Sequence, residues 1–295
     1  MKKIDFKLIP EIDLNDRLVN LYGSHLPALY VEMEKIYSNN KLSIKPAAPL
    51  LLELSDEGEF PYESGELKVM IFGRENNNWN DKGNRKDPSI YTDYGTYNFH
   101  LENSDDVLTE IRGKHADENG NPLPLDQEIY GLTDIYWDYC YNPKASKTPF
   151  TKRMIQFVKE LEDKTGKKIG LVWNNLYKIG RGGEGTGNCC GFSPQYIQTV
   201  ERETFDVVKK EIEILRPDVI IFMTGTKADN VIKEKLGITD EFKTIDPELP
   251  NLLKLRIQGV EYAVRTIHPS RKSNEEFSRY SNTIINDIKR HFKIK

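Results

Sequence analysis

The hexapeptide His268-Pro269-Ser270-Arg271-Lys272-Ser273 brings together an imidazole, two hydroxyls and two cations. It follows an apolar, strand-like run from Val260 to Ile267 and precedes a helix-like run from Asn274 to Phe292. A histidine held at a strand end by proline, beside hydroxyls and cations, suits an anion. That anion is a phosphate or a leaving group that departs with negative charge. The same residues also make an ordinary turn, with Ser273 or Asn274 capping the next helix. Two more polar groups sit in similar places: Gly73-Arg74-Glu75-Asn76 after Leu67 to Phe72, and Asn174-Asn175 after Ile169 to Trp173. A carboxylate orients or deprotonates water, or steadies a developing cation. A carboxamide presents both a donor and an acceptor, which suits an imide or amide edge. Carboxylate, carboxamide and imidazole together suit the cleavage of a bond to a planar heterocycle. Taken singly, Glu75 has a structural reading as a salt-bridge partner and Asn174 as the cap of a strand end.

These residues meet only if the elements before them lie side by side. Leu67 to Phe72 is nearly continuous in apolar residues, the pattern of a strand buried on both faces of a parallel sheet. Ile169 to Trp173, Val219 to Met223 and Tyr262 to Ile267 read the same way. Between them lie helix-like stretches: Pro149 to Thr165, Tyr196 to Leu215, Thr226 to Leu236, and the last run from Asn274. That alternation predicts an α/β fold with a central, mainly parallel sheet of four strands between helices, a three-layer α/β/α arrangement. Ligands in such sheets bind at the carboxyl ends of the strands. Residues 12 to 40 read as helical, and Lys45-Pro46-Ala47-Ala48-Pro49 as a break. The expected organisation is an N-terminal helical extension, 1–65, packed on an α/β domain, 66–295. A long polar insertion spans about 76–147.

Composition sets bounds on partners. The chain has 295 residues, 38% of them hydrophobic and 30% charged, which fits a wet-surfaced globular protein. No apolar run approaches the ~20 residues of a membrane span, and Met1 to Asp5 shows no signal-like run. With three cysteines there is no disulfide framework, so a cytoplasmic setting is expected. A net charge of −4 provides no global basic field, which leaves nucleic acid to a local basic patch.

With these residues in this order, the chain resembles the uracil-DNA glycosylase superfamily. The family's first motif reads G-Q-D-P-Y; here Gly73-Arg74-Glu75-Asn76-Asn77 stands in its place. Val172-Trp173-Asn174-Asn175 matches the strand that ends in a base-reading Asn, at Asn174. Met223-Thr224-Gly225-Thr226-Lys227-Ala228 keeps the glycine and alanine of a W-G-x-x-A segment. H-P-S-x-x-S is matched at His268, Pro269, Ser270 and Ser273. The resemblance covers about residues 66 to 292. It implies DNA carrying uracil or a related damaged base as partner, and a base flipped into the crevice. It implies Asn174 reading the base, Glu75 positioning water and His268 stabilising the departing base anion. Gly73, Arg74, Asn76, Ser270, Arg271, Lys272 and Ser273 would line the substrate. No metal or cofactor is required, and the activity would be a monofunctional N-glycosylase. There are departures. Glu75 stands where the family has Asp or Asn, no proline follows, and Arg271 and Lys272 occupy the place of the apolar wedge. They can hold phosphate but cannot enter the stack. Tyr91, Tyr94, Tyr97 and Phe99 compete for the role of the stacking aromatic.

Other motifs carry less. Gly180-Arg181-Gly182-Gly183-Glu184-Gly185 matches G-x-G-x-x-G, but the next helix starts only near Tyr196, so a dinucleotide site is not expected. Cys189-Cys190 has no histidine nearby, and His25, His100 and His115 are isolated. No lysine marks a strand end, so lyase chemistry is not expected. Two other classes stay open: a catalytically weak nucleic-acid or nucleotide-binding module, and a small-molecule hydrolase using Glu75 and His268.

Overall fold

Strands that read as continuous apolar runs need cover on both faces, and the chain supplies it with helices between successive strands of the parallel set. The computed structural model describes residues 13–39, 41, 45–56, 58–75, 133, 136, 140, 141, 148–182, 193–270 and 272–294. In chain order these form α1 (Leu14–Ser38), β1 (Lys45–Pro49), β2 (Leu67–Gly73), α2 (Pro149–Thr165), β3 (Ile169–Asn175) and β4 (Ile179–Gly182). There follow α3 (Gln195–Thr204), α4 (Val208–Leu215), β5 (Val219–Phe222), a 3₁₀ turn (Thr226–Ala228) and α5 (Asp229–Leu236). Last come β6 (Lys243–Thr244), β7 (Leu253–Leu255), β8 (Tyr262–Arg265) and α6 (Asn274–His291).

The fold is α/β around a mixed sheet of six strands, ordered β3-β2-β5-β8-β7-β6. The four predicted strands are its contiguous parallel part: β2 pairs with β3 and β5, and β5 with β8. The expected four-stranded sheet is extended by β7, antiparallel to β8, and β6, antiparallel to β7. These two strands are three and two residues long and mostly half-buried or exposed, too short for a period to show. A second correction concerns Lys45–Pro49. It is strand rather than break, pairing antiparallel with β4 across an irregularity between Pro46 and Pro49. Proline is tolerated in so short a two-stranded ladder. A third is the expected helix from Tyr196 to Leu215, which is two helices. Phe205 leaves the helix at φ −140° and is fully buried, so its ring takes a core position that a straight helix would deny it.

Helix ends follow local chemistry. Thr148 caps α2 by accepting from Thr151 N at 3.2 Å, Pro149 opens it and Gly166 closes it at φ 63°. Ser273 caps α6, with Glu275 and Glu276 in the first turn and Lys289, Arg290 and His291 in the last. α2 packs against α6, and α1 against α3 and α4. One apolar cluster runs through the sheet and takes in Leu18, Tyr22, Leu26, Leu29 and Met33 of α1. Polar clamps seat α1 as well: Asn15 exchanges two hydrogen bonds with the Leu54 backbone, at 3.0 and 2.8 Å. Among the described residues, no helix is long and apolar enough to cross a membrane.

Candidate functional site

The strand order 3-2-5-8 reverses direction at β2. The chain leaves β2 for β3 on one side and then crosses back to β5 on the other. Such a switch point opens a crevice beyond the carboxyl ends of the two central strands. Here those ends carry Gly73-Arg74-Glu75 and Met223-Thr224-Gly225, and the neighbouring β8 leads to His268.

Gly73 sits opposite Asn175 in the sheet. A Cβ on Gly73 would stand 2.4 Å from Asn175 Oδ1, 3.4 Å from Trp173 Nε1 and 3.5 Å from Phe150 Cζ. Glycine is therefore required for close approach: the Asn175 carboxamide lies directly over it. The Phe150 ring in turn lies 5.7 Å from the His268 ring, tilted by 44°. Asn175, Phe150 and His268 thus gather on the face of the sheet that α2 covers.

Asn174 points the other way, as strand alternation demands. Its Nδ2 donates to Glu211 Oε2 at 2.9 Å, and its Oδ1 accepts from Lys178 Nζ and Asn175 N, both at 2.8 Å. Lys178 Nζ also pairs with Glu211 Oε1 at 2.7 Å, and Tyr22 Oη donates to the same oxygen at 2.7 Å. Asn174, Lys178 and Glu211 have no exposed surface. The structure therefore places the carboxamide expected to read a base inside a sealed network, away from the crevice. Burial pulls the Lys178 ammonium below its ordinary range, against the opposing pull of Glu211. The expectation of no lysine near a strand end missed Lys178, but its amine is an internal ion-pair partner.

Arg74 spans the crevice floor. Its Nε donates to Thr224 O at 2.5 Å, tying the end of β2 to the segment after β5. A Cβ on Gly225 would stand 3.2 Å from Arg74 Nη2, 3.5 Å from His268 N and 3.7 Å from His268 Cβ. Gly225 itself has φ 68°, a conformation that favours glycine. Arg74, Gly225 and His268 thus share one small volume. Glu75 turns toward the start of α3, where its Oε2 accepts from Ser193 N at 2.8 Å and Ser193 Oγ at 2.9 Å.

His268 is held as a neutral imidazole. Burial, and then the Arg74 cation, lower its pKa to about 4. The Ser270 backbone N–H donates to Nδ1 at 3.3 Å, which assigns the ring proton to Nε2. The ring is therefore a directional N–H donor at neutral pH, fixed by the Pro269-Ser270 turn. The rest of the hexapeptide divides its work. Ser270 holds the tautomer through its backbone. Ser273 is the helix cap, and Lys272 pairs with Glu276 at 2.7 Å. Asn76 and Arg271 lie outside the described residues, as do Tyr91, Tyr94, Tyr97, Phe99, His100, His115, Cys189 and Cys190.

The sequence reading named the Asn174-Asn175 pair but gave the base-reading part to Asn174, and it missed Phe150. Pairing Gly73 with its neighbour in the sheet would have selected Asn175 over Asn174; no local signal marks Phe150, which reaches His268 only through packing of α2. Among the described residues no group of three or more His, Cys, Asp or Glu side chains is arranged to hold a metal ion. No protein-family model matches this sequence, and comparison with curated proteins gives no match.

Proposed function

We propose that this crevice hydrolyses the N-glycosidic bond of uracil or a related damaged base in DNA, as a uracil-DNA glycosylase-like enzyme of base-excision repair. The observation that carries the reading is the neutral, tautomer-fixed His268 facing the switch point that also bears Glu75 and Arg74. The packing of α2 with α6, apart from α1, α3 and α4, supports helices on both faces, hence a three-layer α/β/α arrangement like that superfamily's. A cytoplasmic setting goes with the reading.

The step balances without a cofactor. The C1′–N bond breaks with both electrons going to the ring nitrogen. A water oxygen bonds to C1′, its proton passes to the Glu75 carboxylate, and the base leaves as an anion. Nε2–H of His268 donates to the oxygen on which that charge gathers. Asn175, over Gly73, takes the base-reading part, because it stands on the face of the sheet that carries Phe150 and His268, whereas Asn174 turns to Glu211 and Lys178. Phe150 supplies the apolar face. One observation favours a second reading, a binding module: Glu75 is held by two bonds from Ser193.

The test is free-base release from single- and double-stranded DNA carrying uracil and other damaged bases. Wild type should release a base, and Glu75→Gln should lose ~10²-fold or more in rate. DNA binding with a steep salt dependence and no base release on any substrate would select the binding module.

A further inference from the structure

The proposed reaction makes an anion, and the neutral His268 brings no charge to meet it. Among the described residues, Arg74 brings a cation beside His268. Its guanidinium is positioned from both sides, by the turn out of β2 and by the 2.5 Å bond from Nε to Thr224 O. Glycine at 225 is what leaves it room beside His268: a Cβ there would crowd Nη2 at 3.2 Å in a backbone already at φ 68°. Arg74 is placed next to the imidazole closely enough for its charge to act on it.

We infer that Arg74 is the anion-binding residue of the crevice, and that the ligand class it selects is a planar heterocycle deprotonated at the ring nitrogen released from the sugar. The inference rests on the glycosylase reading and adds a division of labour. His268 gives direction through Nε2–H, and Arg74 gives charge. A fixed cation stabilises charge without proton transfer, so the base departs as the anion and takes its proton from solvent afterwards. A planar guanidinium also matches a planar, delocalised anion better than an ammonium does. The resemblance places Arg74 only along the substrate and does not supply its charge, because the matched motif has glutamine where this chain has Arg74.

Free bases provide a readout separate from turnover. Uracil ionises at N1 or N3, whereas 1-methyluracil cannot form the N1 anion. Binding of each to wild type, Arg74→Gln and Arg74→Lys is measured by calorimetry from pH 6 to 10. Near-ultraviolet circular dichroism checks that each variant is folded. Wild type should bind uracil more tightly as the ligand ionises, and 1-methyluracil, which ionises only at N3, should gain less. Arg74→Gln should weaken binding of the anion by about 10- to 100-fold while leaving the neutral form within about 3-fold, and Arg74→Lys should keep part of the gain. An equal gain with pH in wild type and Arg74→Gln overturns the inference, as does uracil binding that inorganic phosphate displaces equally well. Should wild type release a base from DNA yet show no preference for the uracil anion, the role of Arg74 falls while the glycosylase reading stands. Absence of both base release and uracil binding removes both.

Discussion

Protonating His268 should cost the folded protein about 3 kcal/mol, through a pH dependence that belongs to this one residue. Its pKa is lowered to about 4, first by burial and then by Arg74. An imidazole in an unfolded chain titrates near 6.5, so the difference is worth about 3 kcal/mol at roughly 1.4 kcal/mol per pH unit. The sign follows from proton uptake. As pH falls the unfolded chain binds the proton first, so stability drops from about pH 6.5 and levels off near pH 4, where the folded protein is protonated too. The comparison is urea unfolding of wild type and His268→Asn at intervals from pH 7.5 to 4. Asparagine keeps an oxygen that can accept from Ser270 N, so the turn has a substitute acceptor. Other titrating groups contribute alike to both proteins. Wild type should therefore lose about 3 kcal/mol more than the variant across this window. Parallel curves would refute the argument. The kinetic counterpart is that about 90% of His268 stays neutral at pH 5, so base release should not fall with this residue between pH 8 and 5. A wild-type rate that halves near pH 6.5 would contradict a neutral donor.

Three more outcomes follow from packing. Gly73→Ala puts a Cβ 2.4 Å from Asn175 Oδ1 and should destabilise by about 1–3 kcal/mol in urea unfolding while suppressing base release. A variant as stable and active as wild type would show that the carboxamide does not sit there. Lys178→Met leaves Glu211 buried without its cation and should cost about 3–5 kcal/mol, most of it recovered in the Lys178→Met/Glu211→Leu double variant. A single variant within 1 kcal/mol of wild type would argue against the buried pair. Asn174→Ala should destabilise by about 1–3 kcal/mol because its partners lose their bonds. Asn175→Ala should stay folded and lose discrimination between bases in the release assay. The reverse pattern would return the base-reading part to Asn174.

What the sequence made legible was whatever hydrophobic burial writes into long runs. β2, β3, β5 and β8 are nearly continuous apolar stretches because both their faces are covered, and α2 and α6 carry their caps in plain view at Thr148, Gly166 and Ser273. β6 and β7 were not legible, since two or three residues hold no period. The break at Phe205 was hidden for the opposite reason. Its apolar spacing suits one continuous helix, and only the demand of the core for that ring bends the chain. At the site, the strand-end positions of Glu75, Arg74 and His268 could be read because a polar residue closing an apolar run has few other places to go. Phe150 could not, since it approaches His268 across more than a hundred residues.

Asn174 and Asn175 show where sequence reading reaches its limit and why. Both are asparagines at the end of one strand, so composition and motif spacing cannot separate them. A shift of one residue exchanges the faces of a sheet, and the two faces here have opposite chemistry. One holds an ion pair with no exposed surface, Lys178 with Glu211, which needs a carboxamide to complete its hydrogen bonds. The other holds Gly73, Phe150 and His268, where the missing side chain of Gly73 leaves room for the Asn175 carboxamide. The pairing of Gly73 with Asn175 settles which asparagine meets which face. The absent Cβ at 73 and the sealed amide at 174 are then two sides of one register. Moving the strand by a single residue would either turn the Trp173 indole toward Glu211 or put the Leu176 side chain where the crevice has its amide.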